Sequence, residues 1–216
     1  FLDGLEDAYD KGRLMGTFAE DCAGSYKFTR EAQDAFAIAS TTRAKQANSD
    51  GSFAWEIAPV TVSGRKGDVV IDKDEQPFKA QLEKIPTLKP AFRKDGTVTA
   101  ANSSSISDGA AALVMMRAST AAKLGLKPVA TMVGHSTFAQ EPGLFTTAPV
   151  GAMKKLLAKN GWSADSVDLW EINEAFAVVT MAAMHDLALP HDKVNGCWAA
   201  VHGAQFLPQA IKRFRS

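Results

Sequence analysis

The sequence predicts an α/β protein, because strand-like and helix-like segments alternate through its second half. The apolar run Ala110–Met116 is short enough for a buried strand, and residues 118–124 follow it with a helical pattern. Four later segments alternate in the same way: a strand at 129–133, a helix at 150–159, a strand at 166–172 and a helix at 176–187. The alternation favours a mixed or parallel sheet covered by helices.

Helix boundaries are marked by residues with a physical role at helix ends. Thr29 precedes a helical pattern that runs to about Ala47, and its hydroxyl can accept a hydrogen bond from an unpaired first-turn amide. Gly125 and Gly161 follow two other helical patterns, at the position where a left-handed residue commonly ends a helix. Pro190 closes the last predicted helix.

The first half predicts less regular structure. Residues 56–62 alternate and are rich in β-branched side chains, and residues 66–71 are a second short strand candidate. Charges and three prolines crowd residues 72–96. Because proline removes an amide donor and fixes φ, we expect an irregular surface lid or linker there.

Composition excludes several classes of protein. The 216 residues carry 24 basic and 24 acidic side chains, so no overall basic field favours nucleic acid. No apolar run reaches the length of a membrane span, and residues 1–4 do not resemble a signal peptide. The two cysteines, Cys22 and Cys197, form no disulfide framework, so we expect a cytoplasmic protein that binds neither nucleic acid nor membrane.

Two strings carry the strongest functional signal. Residues 173–177 (NEAFA), which we call the asparagine segment, follow an apolar strand, and residues 97–112 (TVTAANSSSISDGAAA) form what we call the serine segment. Both resemble motifs of thiolases, and residues 30–37 (REAQDAFA) resemble the helix that opens the thiolase loop domain. The matches stand in the family's order and cover roughly residues 1–195. The sequence is therefore identified as a thiolase-like chain of the acetyl-CoA acetyltransferase type.

This resemblance implies a layered fold. Intact thiolases stack two similar halves into an α-β-α-β-α arrangement, with a loop domain inserted in the first half to cover coenzyme A (CoA). The expected division of this chain, incomplete relative to that fold, is residues 1–96 mostly loop domain, 97–126 the end of the N-terminal half, 127–195 the start of the C-terminal half, and 196–216 an aberrant tail.

The resemblance also assigns candidate site residues. Thiolases transfer acyl groups through a cysteine thioester, and fixed hydrogen-bond donors stabilise the negative charge that develops on a thioester oxygen. Asn173 matches an asparagine that holds a water for this purpose, and the resemblance favours that role; an N-cap role in the next helix is the structural alternative, and both can hold together. Ser104 matches a serine that contacts the pantetheine arm of CoA, and Met15 and Phe176 match residues at the acyl pocket. Glu174 is either a first-turn carboxylate or a structural link near the site.

Two further candidates rest on weaker matches. Lys79 lies near the position where many thiolases carry a basic residue toward the nucleotide of CoA, but a solvated surface lysine is at least as compatible with the sequence. His202 is a catalytic candidate, although it precedes Gly203 rather than following a glycine as in the family, and a different alignment puts Gln209 in its place. His185 and His191 lack metal-ligand spacing, and we expect neither a metal nor a covalently bound cofactor.

The catalytic cysteines of the family have no match in this sequence. The nucleophile of thiolases would lie upstream of residue 1, and Cys22 follows two acidic residues that would raise a thiol pKa rather than activate it. Cys197 is likewise not matched to the family's second cysteine. The last twenty or so residues depart from the family pattern, which suggests a frameshift or an abnormal gene end.

Three functions remain open at this point. The first is a transferase that condenses two acetyl-CoA to acetoacetyl-CoA or runs the reverse thiolysis, with the intact protein a dimer or tetramer and this chain alone inactive. The second is a non-catalytic CoA-binding or interaction module. The third is another thiolase-fold enzyme such as a ketoacyl synthase, whose Cys-His-His pattern fits this sequence less well.

Overall fold

The computed structural model describes residues 4–196 and the backbone of residues 210–212. Six α-helices and four strands lie within these residues, with short 3₁₀ turns and irregular segments between them. The helices are α1 (Met15–Tyr26), α2 (Arg30–Ser49), α3 (Gln76–Lys79), α4 (Ala118–Lys123), α5 (Ala148–Asn160) and α6 (Ala177–Leu187). The strands are β1 (Val60–Gly64), β2 (Gly67–Ile71), β3 (Leu169–Glu171) and β4 (Ala210–Lys212).

The predicted helix ends agree with the structure. The Thr29 hydroxyl accepts from the Ala32 N–H at 3.2 Å, and α2 begins at Arg30, directly after Thr29. Helix α5 ends at Gly161, whose φ of 64° places it in the left-handed region that glycine adopts without steric cost. Helix α4 covers the predicted helical pattern, and α6 follows the predicted last helix from its second residue.

The sequence pattern does not predict helix α1. It contains two glycines, Gly16 and Gly24, which weaken the helical pattern that local propensity would give. Tertiary packing overrides that weakness: Phe18, Ala19 and Cys22 on α1 are all buried. The helix therefore becomes visible only when its packing partners are known.

The core consists of two neighbouring groups of buried side chains around α6. One lies between α5, β3 and α6 and comprises Val150, Met153, Leu157, Val167, Trp170, Ile172, Ala183, Leu189 and Val194. The other joins α1 to the start of α6 and comprises Ala19, Cys22, Ala23, Val98, Phe176, Val178, Val179 and Ala182. Because α6 contributes to both groups, it is the central element of the described fold.

The two strands predicted in the first half pair with each other. Strands β1 and β2 form an antiparallel hairpin with Val60 opposite Ile71 and Gly64 opposite Gly67. The first strand begins four residues later than predicted, because residues 51–56 form turns and residues 57–59 are irregular. Both strands are exposed along their whole length. The expected irregular stretch that follows holds only the single-turn helix α3 and a 3₁₀ turn at Leu82–Thr87.

Two predicted strands are wrong. Residues 110–116 and 129–133 adopt no strand in the structure, and their apolar side chains are exposed, with Val114 and Val129 about nine-tenths accessible. A strand exists only when a neighbouring backbone supplies its hydrogen bonds, and no described segment pairs with either run. The expected mixed or parallel sheet is accordingly reduced to two antiparallel pairs, β1–β2 and β3–β4, among the described residues.

No helix in the described part of the chain is long and apolar enough to cross a membrane.

Candidate functional site

The structure joins the serine segment to the asparagine segment. The Ser104 N–H donates to the Ala175 carbonyl at 3.0 Å, and the Ala177 N–H donates to the Asn102 carbonyl at 2.9 Å. The residues between them form an antiparallel bridge. Two strings more than sixty residues apart in sequence are thus held side by side, and the start of α6 is fixed against the serine segment.

A buried turn prepares the serine segment for this contact. The Asn102 side chain accepts from the Thr99 N–H at 2.7 Å and donates to the Thr97 carbonyl at 3.1 Å. Ser103 donates its hydroxyl to the Thr99 carbonyl at 2.7 Å. Because asparagine and serine side chains readily replace backbone partners in turns, these residues give the segment a defined shape before it reaches Ser104.

Helix α1 anchors the same turn through a buried carboxylate. Glu20 accepts from the Thr97 N–H at 2.9 Å and from the Val98 N–H at 2.9 Å. Gly96 passes so close that an added Cβ would lie 2.0 Å from a Glu20 carboxylate oxygen. A larger residue at position 96 would therefore force the Glu20 carboxylate to move away from the Thr97 and Val98 amides.

Two predicted pocket residues share one apolar cluster. Met15 packs against the group of buried side chains that contains Phe176. Phe92 meets Phe176 edge to face, with ring centroids 6.1 Å apart. Gly16 lies beneath the Phe92 ring, since a Cβ there would be 2.3 Å from ring carbons. The structure thus brings Met15 and Phe176 together, with Phe92 as an additional member that the sequence reasoning missed.

The Asn173 side chain is exposed and forms no hydrogen bond with the residues that the structure describes. Its predicted alternative role as an N-cap is wrong, because α6 begins at Ala177 and Phe176 occupies the cap position. The first-turn reading of Glu174 is wrong for the same reason. An unpaired, exposed amide is chemically able to donate to a ligand or a water.

Glu174 is instead a buried structural link. Its carboxylate accepts from the Ser40 hydroxyl at 2.6 Å and from the Asn195 amide at 2.7 Å. Burial raises the pKa of the Glu174 carboxyl, while these two hydrogen bonds and the nearby Arg43 oppose the rise. Sequence reasoning named neither Ser40 nor Asn195. Asn195 has a left-handed φ of 50°, which marks it as an unusual residue, but this feature is visible only in the folded backbone.

Lys79 lies on the surface, beside the serine segment. It forms an exposed ion pair with Glu75, with Nζ and Oε2 3.2 Å apart. It also lines an open, largely apolar depression of about 320 Å³ whose wall includes Ala100 and Ala101, the two residues before Asn102. The solvated-lysine reading and the binding reading both agree with this position.

Cys22 and His191 lie in surroundings that favour structural roles. Cys22 is buried, and burial raises the pKa of its thiol, which disfavours the nucleophilic thiolate. His191 stacks on Phe36 with centroids 5.2 Å apart, and burial together with Arg43 lowers its pKa. His202 and Cys197 lie outside the described residues. Among the residues that the structure describes, no group of His, Cys, Asp and Glu could hold a metal ion.

Comparisons with known proteins match the chain to the same family that the two joined segments resemble. The family model described as the N-terminal domain of thiolase matches residues 1–119, and the one described as the C-terminal domain matches residues 126–203. The fold and the joined segments thus define a protein of the thiolase class. The chain belongs to the thiolase family, and the described part has a partial thiolase fold.

The most similar relatives include acetyl-CoA acetyltransferases. A probable acetyl-CoA acetyltransferase of Dictyostelium discoideum is 48% identical over 194 residues, which are 89% of this chain and 47% of that protein. The acetyl-CoA acetyltransferase of Paracoccus denitrificans is 44% identical over 89% of this chain and 49% of its own length. The chain therefore spans about half the length of the curated relatives it matches.

Solved structures give the same result. The Bacillus anthracis acetyl-CoA acetyltransferase is 42% identical and superposes with a TM-score of 0.88 over 92% of this chain and 50% of its own. The Acat5 thiolase from Ascaris suum, solved in complex with coenzyme A, is also 42% identical and has a TM-score of 0.86, with coverage of 92% and 51%. The similarity extends over nearly the whole chain and half of each neighbour.

Proposed function

We propose that this chain carries the CoA-recognising part of an acetyl-CoA acetyltransferase, which condenses two acetyl-CoA to acetoacetyl-CoA or catalyses the reverse thiolysis. The observation that carries the proposal is the backbone pairing between the serine segment and the asparagine segment. This pairing places Ser104 next to the strand-to-helix turn that presents Asn173. A CoA thioester needs both: a partner for its pantetheine arm and a donor near its carbonyl oxygen.

Each candidate residue has a role in this proposal. Asn173 holds a water or donates directly where negative charge develops on the thioester oxygen, for which its unpaired amide is suited. Ser104 contacts the pantetheine arm, and the cluster of Met15 and Phe176 borders the acyl group. Lys79 faces the phosphates of the nucleotide from the rim of the open depression. CoA thioester is substrate here, and the proposal involves no metal.

The division of the chain also stays a proposal. Residues 1–96 are assigned mostly to the loop domain, 97–126 to the end of the N-terminal half, 127–195 to the start of the C-terminal half, and 196–216, with the catalytic candidate His202, to an altered tail. The intact protein is proposed to be a cytoplasmic homodimer or homotetramer. The joined segments would then lie at the junction of the two halves.

The second candidate function is a CoA-binding module without turnover. The burial of Cys22 favours it for this chain on its own, because no other thiol lies among the described residues to attack the thioester. We therefore expect the 216-residue chain to bind CoA without cleaving acetoacetyl-CoA. The transferase activity would require a nucleophile that the described residues do not supply.

Calorimetric titration of the 216-residue chain with CoA and with acetyl-CoA, alongside a thiolysis assay, tests the proposal. We expect saturable binding and no turnover. Ser104→Ala should weaken binding about threefold to tenfold, as expected for the loss of one hydrogen bond, whereas Ser107→Ala in the exposed part of the same segment should not. Absence of binding would contradict the proposal. Turnover that Cys22→Ala abolishes would overturn the assignment of Cys22 as a buried structural thiol.

A further inference from the structure

Asn195 contacts the backbone immediately before Asn173 and the side chain immediately after it. Its Oδ1 accepts from the Ile172 N–H at 2.8 Å, and its Nδ2 donates to the Ile172 carbonyl at 2.9 Å. The second Nδ2 proton goes to Glu174 Oε1 at 2.7 Å. The side-chain amide thereby uses both of its donors and its acceptor on residues 172 and 174.

Asn195, which we call the clamp because its side chain binds residues 172 and 174, is itself held from two directions. The Asn195 N–H donates to the Trp170 carbonyl at 2.8 Å, which fixes its backbone against β3. Arg43 on α2 donates to the carbonyls of Val194 and His191 at 3.0 and 3.2 Å. Asn195 has a φ of 50°, a conformation that asparagine tolerates better than most residues.

Glu174 connects the clamp to helix α2. The Ser40 hydroxyl on α2 donates to Glu174 Oε2 at 2.6 Å, while Oε1 is occupied by Asn195. Ser40, Glu174 and Asn195 are all buried. Buried hydrogen bonds between satisfied partners cannot be exchanged for water without cost, so the chain on each side of residue 173 has little freedom.

We propose that Asn195, Glu174 and Ser40 form a positioning unit that fixes the backbone at Asn173 so that its amide faces outward at the thioester site. The inference rests on the proposed function only for the role of Asn173 toward a substrate. Its structural content, order at residue 173 imposed by the Asn195 side chain, can be tested without any ligand. Ser40, Glu174 and Asn195 are positioning residues, since they act through Asn173.

Isosteric variants separate this role from general stability. Asn195→Asp keeps the acceptor for the Ile172 N–H but sets a carboxylate oxygen against both the Ile172 carbonyl and the Glu174 carboxylate. Glu174→Gln should keep the unit, because its amide oxygen accepts from Asn195 and its amide nitrogen donates to the Ser40 hydroxyl, which is able to accept. In the double variant E174Q/N195D the 174–195 hydrogen bond returns with donor and acceptor exchanged.

The experiment is ¹⁵N relaxation on the labelled 216-residue chain, read at the Asn173 backbone amide. We expect an order parameter of about 0.85 in the wild type and in Glu174→Gln, and one below about 0.6 in Asn195→Asp. The double variant should recover much of the lost order. An order parameter at Asn173 that stays high in Asn195→Asp, or is already low in the wild type, would overturn the proposal.

A second variant covers the case in which Asn195→Asp fails to fold. Asn195→Gly removes the side chain without adding charge and suits the left-handed backbone. If that variant folds and Asn173 stays ordered, the proposal is wrong; if Asn173 loses order while the amides of α5 keep theirs, it is supported. Calorimetry with acetyl-CoA on the same samples distinguishes the two claims, because failure of binding in the wild type contradicts the proposed function and leaves the relaxation result intact.

Discussion

Two apolar runs of this chain differ in burial and in regular structure. Helix α6 is buried on most of its circumference, whereas residues 110–116 are exposed and form no regular structure. A helix satisfies its backbone hydrogen bonds within its own segment, so it needs only apolar neighbours. A strand needs a second backbone, and none of the described segments supplies one at residues 110–116. Apolar composition is therefore sufficient for the helix and insufficient for the strand.

The largest expected difference between the two regions is in the effect of truncating a side chain. Met153 on α5 is 5% exposed and Met115 in the unpaired run is 67% exposed. We expect Met153→Ala to lower the free energy of unfolding by about 2–5 kcal/mol, because it removes buried contacts and leaves a cavity. Met115→Ala should change it by less than about 0.5 kcal/mol.

Urea denaturation of both methionine variants, followed by far-ultraviolet circular dichroism, measures this difference. Equal losses of stability would mean that residues 110–116 pack in solution as α5 does, which would contradict the difference in burial between the two regions. The matched chemistry of the two substitutions removes side-chain type as an explanation.

The next largest effect is expected where α1 meets the serine segment. Gly96→Ala would place a Cβ 2.0 Å from the Glu20 carboxylate and displace it from the Thr97 and Val98 amides. Leaving such buried donors unpaired should cost about 1–3 kcal/mol. Gly24→Ala, on α1 with no atom within 4 Å of its added Cβ, should instead stabilise the helix by up to ~1 kcal/mol.

Thermal melts of the two alanine variants give opposite signs if the contact is as described. A neutral Gly96→Ala would show that the Glu20 carboxylate does not hold the serine segment.

A smaller effect should appear in the pH dependence of stability. Burial raises the pKa of Glu174 above its ordinary value of 4.5, so the folded state binds this proton more tightly than the unfolded state. Its contribution is fully present below about pH 4.5 and is lost as the pH rises through the folded-state pKa. Glu174→Gln carries no titrating proton, so the wild type should lose stability relative to the variant over that window.

Urea midpoints of the wild type and Glu174→Gln from pH 4 to pH 8 test this. The difference between the two proteins should change in the stated direction with rising pH. A constant difference would show that the carboxyl has the same pKa in the folded and unfolded states.

The smallest effect is expected at Lys79. Its ion pair with Glu75 is exposed, so Lys79→Ala should change stability by less than about 0.5 kcal/mol. If the lysine faces the nucleotide phosphates, the same change should weaken CoA binding about threefold at low salt and less at high salt. Lys127→Ala, an exposed lysine elsewhere, is the control. Calorimetric titration with CoA at two salt concentrations tests this. Equal CoA affinities for the wild type, Lys79→Ala and Lys127→Ala would show that Lys79 is a solvated surface residue without a role in binding.

The sequence was most informative where structure is locally determined. The Thr29 cap and the end of α5 at Gly161 follow from side-chain and backbone preferences that need no distant partner. Helix α1 was missed because its glycines hide a helix that packing stabilises. The predictions of strands at 110–116 and 129–133 were wrong because a sequence pattern does not reveal whether a second backbone is present to pair with the segment.

The site could be predicted in part. The resemblance named Ser104 and Asn173 as candidates, and their two segments lie side by side in the structure. The buried links were not accessible in this way, because Ser40 and Asn195 lie 134 and 21 residues from Glu174 and share no pattern with it. Residues that act through folded contacts have no local signature, whereas motif residues do.

Hydrogen–deuterium exchange followed by mass spectrometry tests the central comparison most directly. We expect strong protection in peptides that cover residues 97–104 and 172–180, where the Ser104 and Ala177 amides are paired, and exchange near the unfolded rate across residues 105–116 and 127–133. Protection of residues 105–116 equal to that of α6, or rapid exchange at the paired amides, would contradict it.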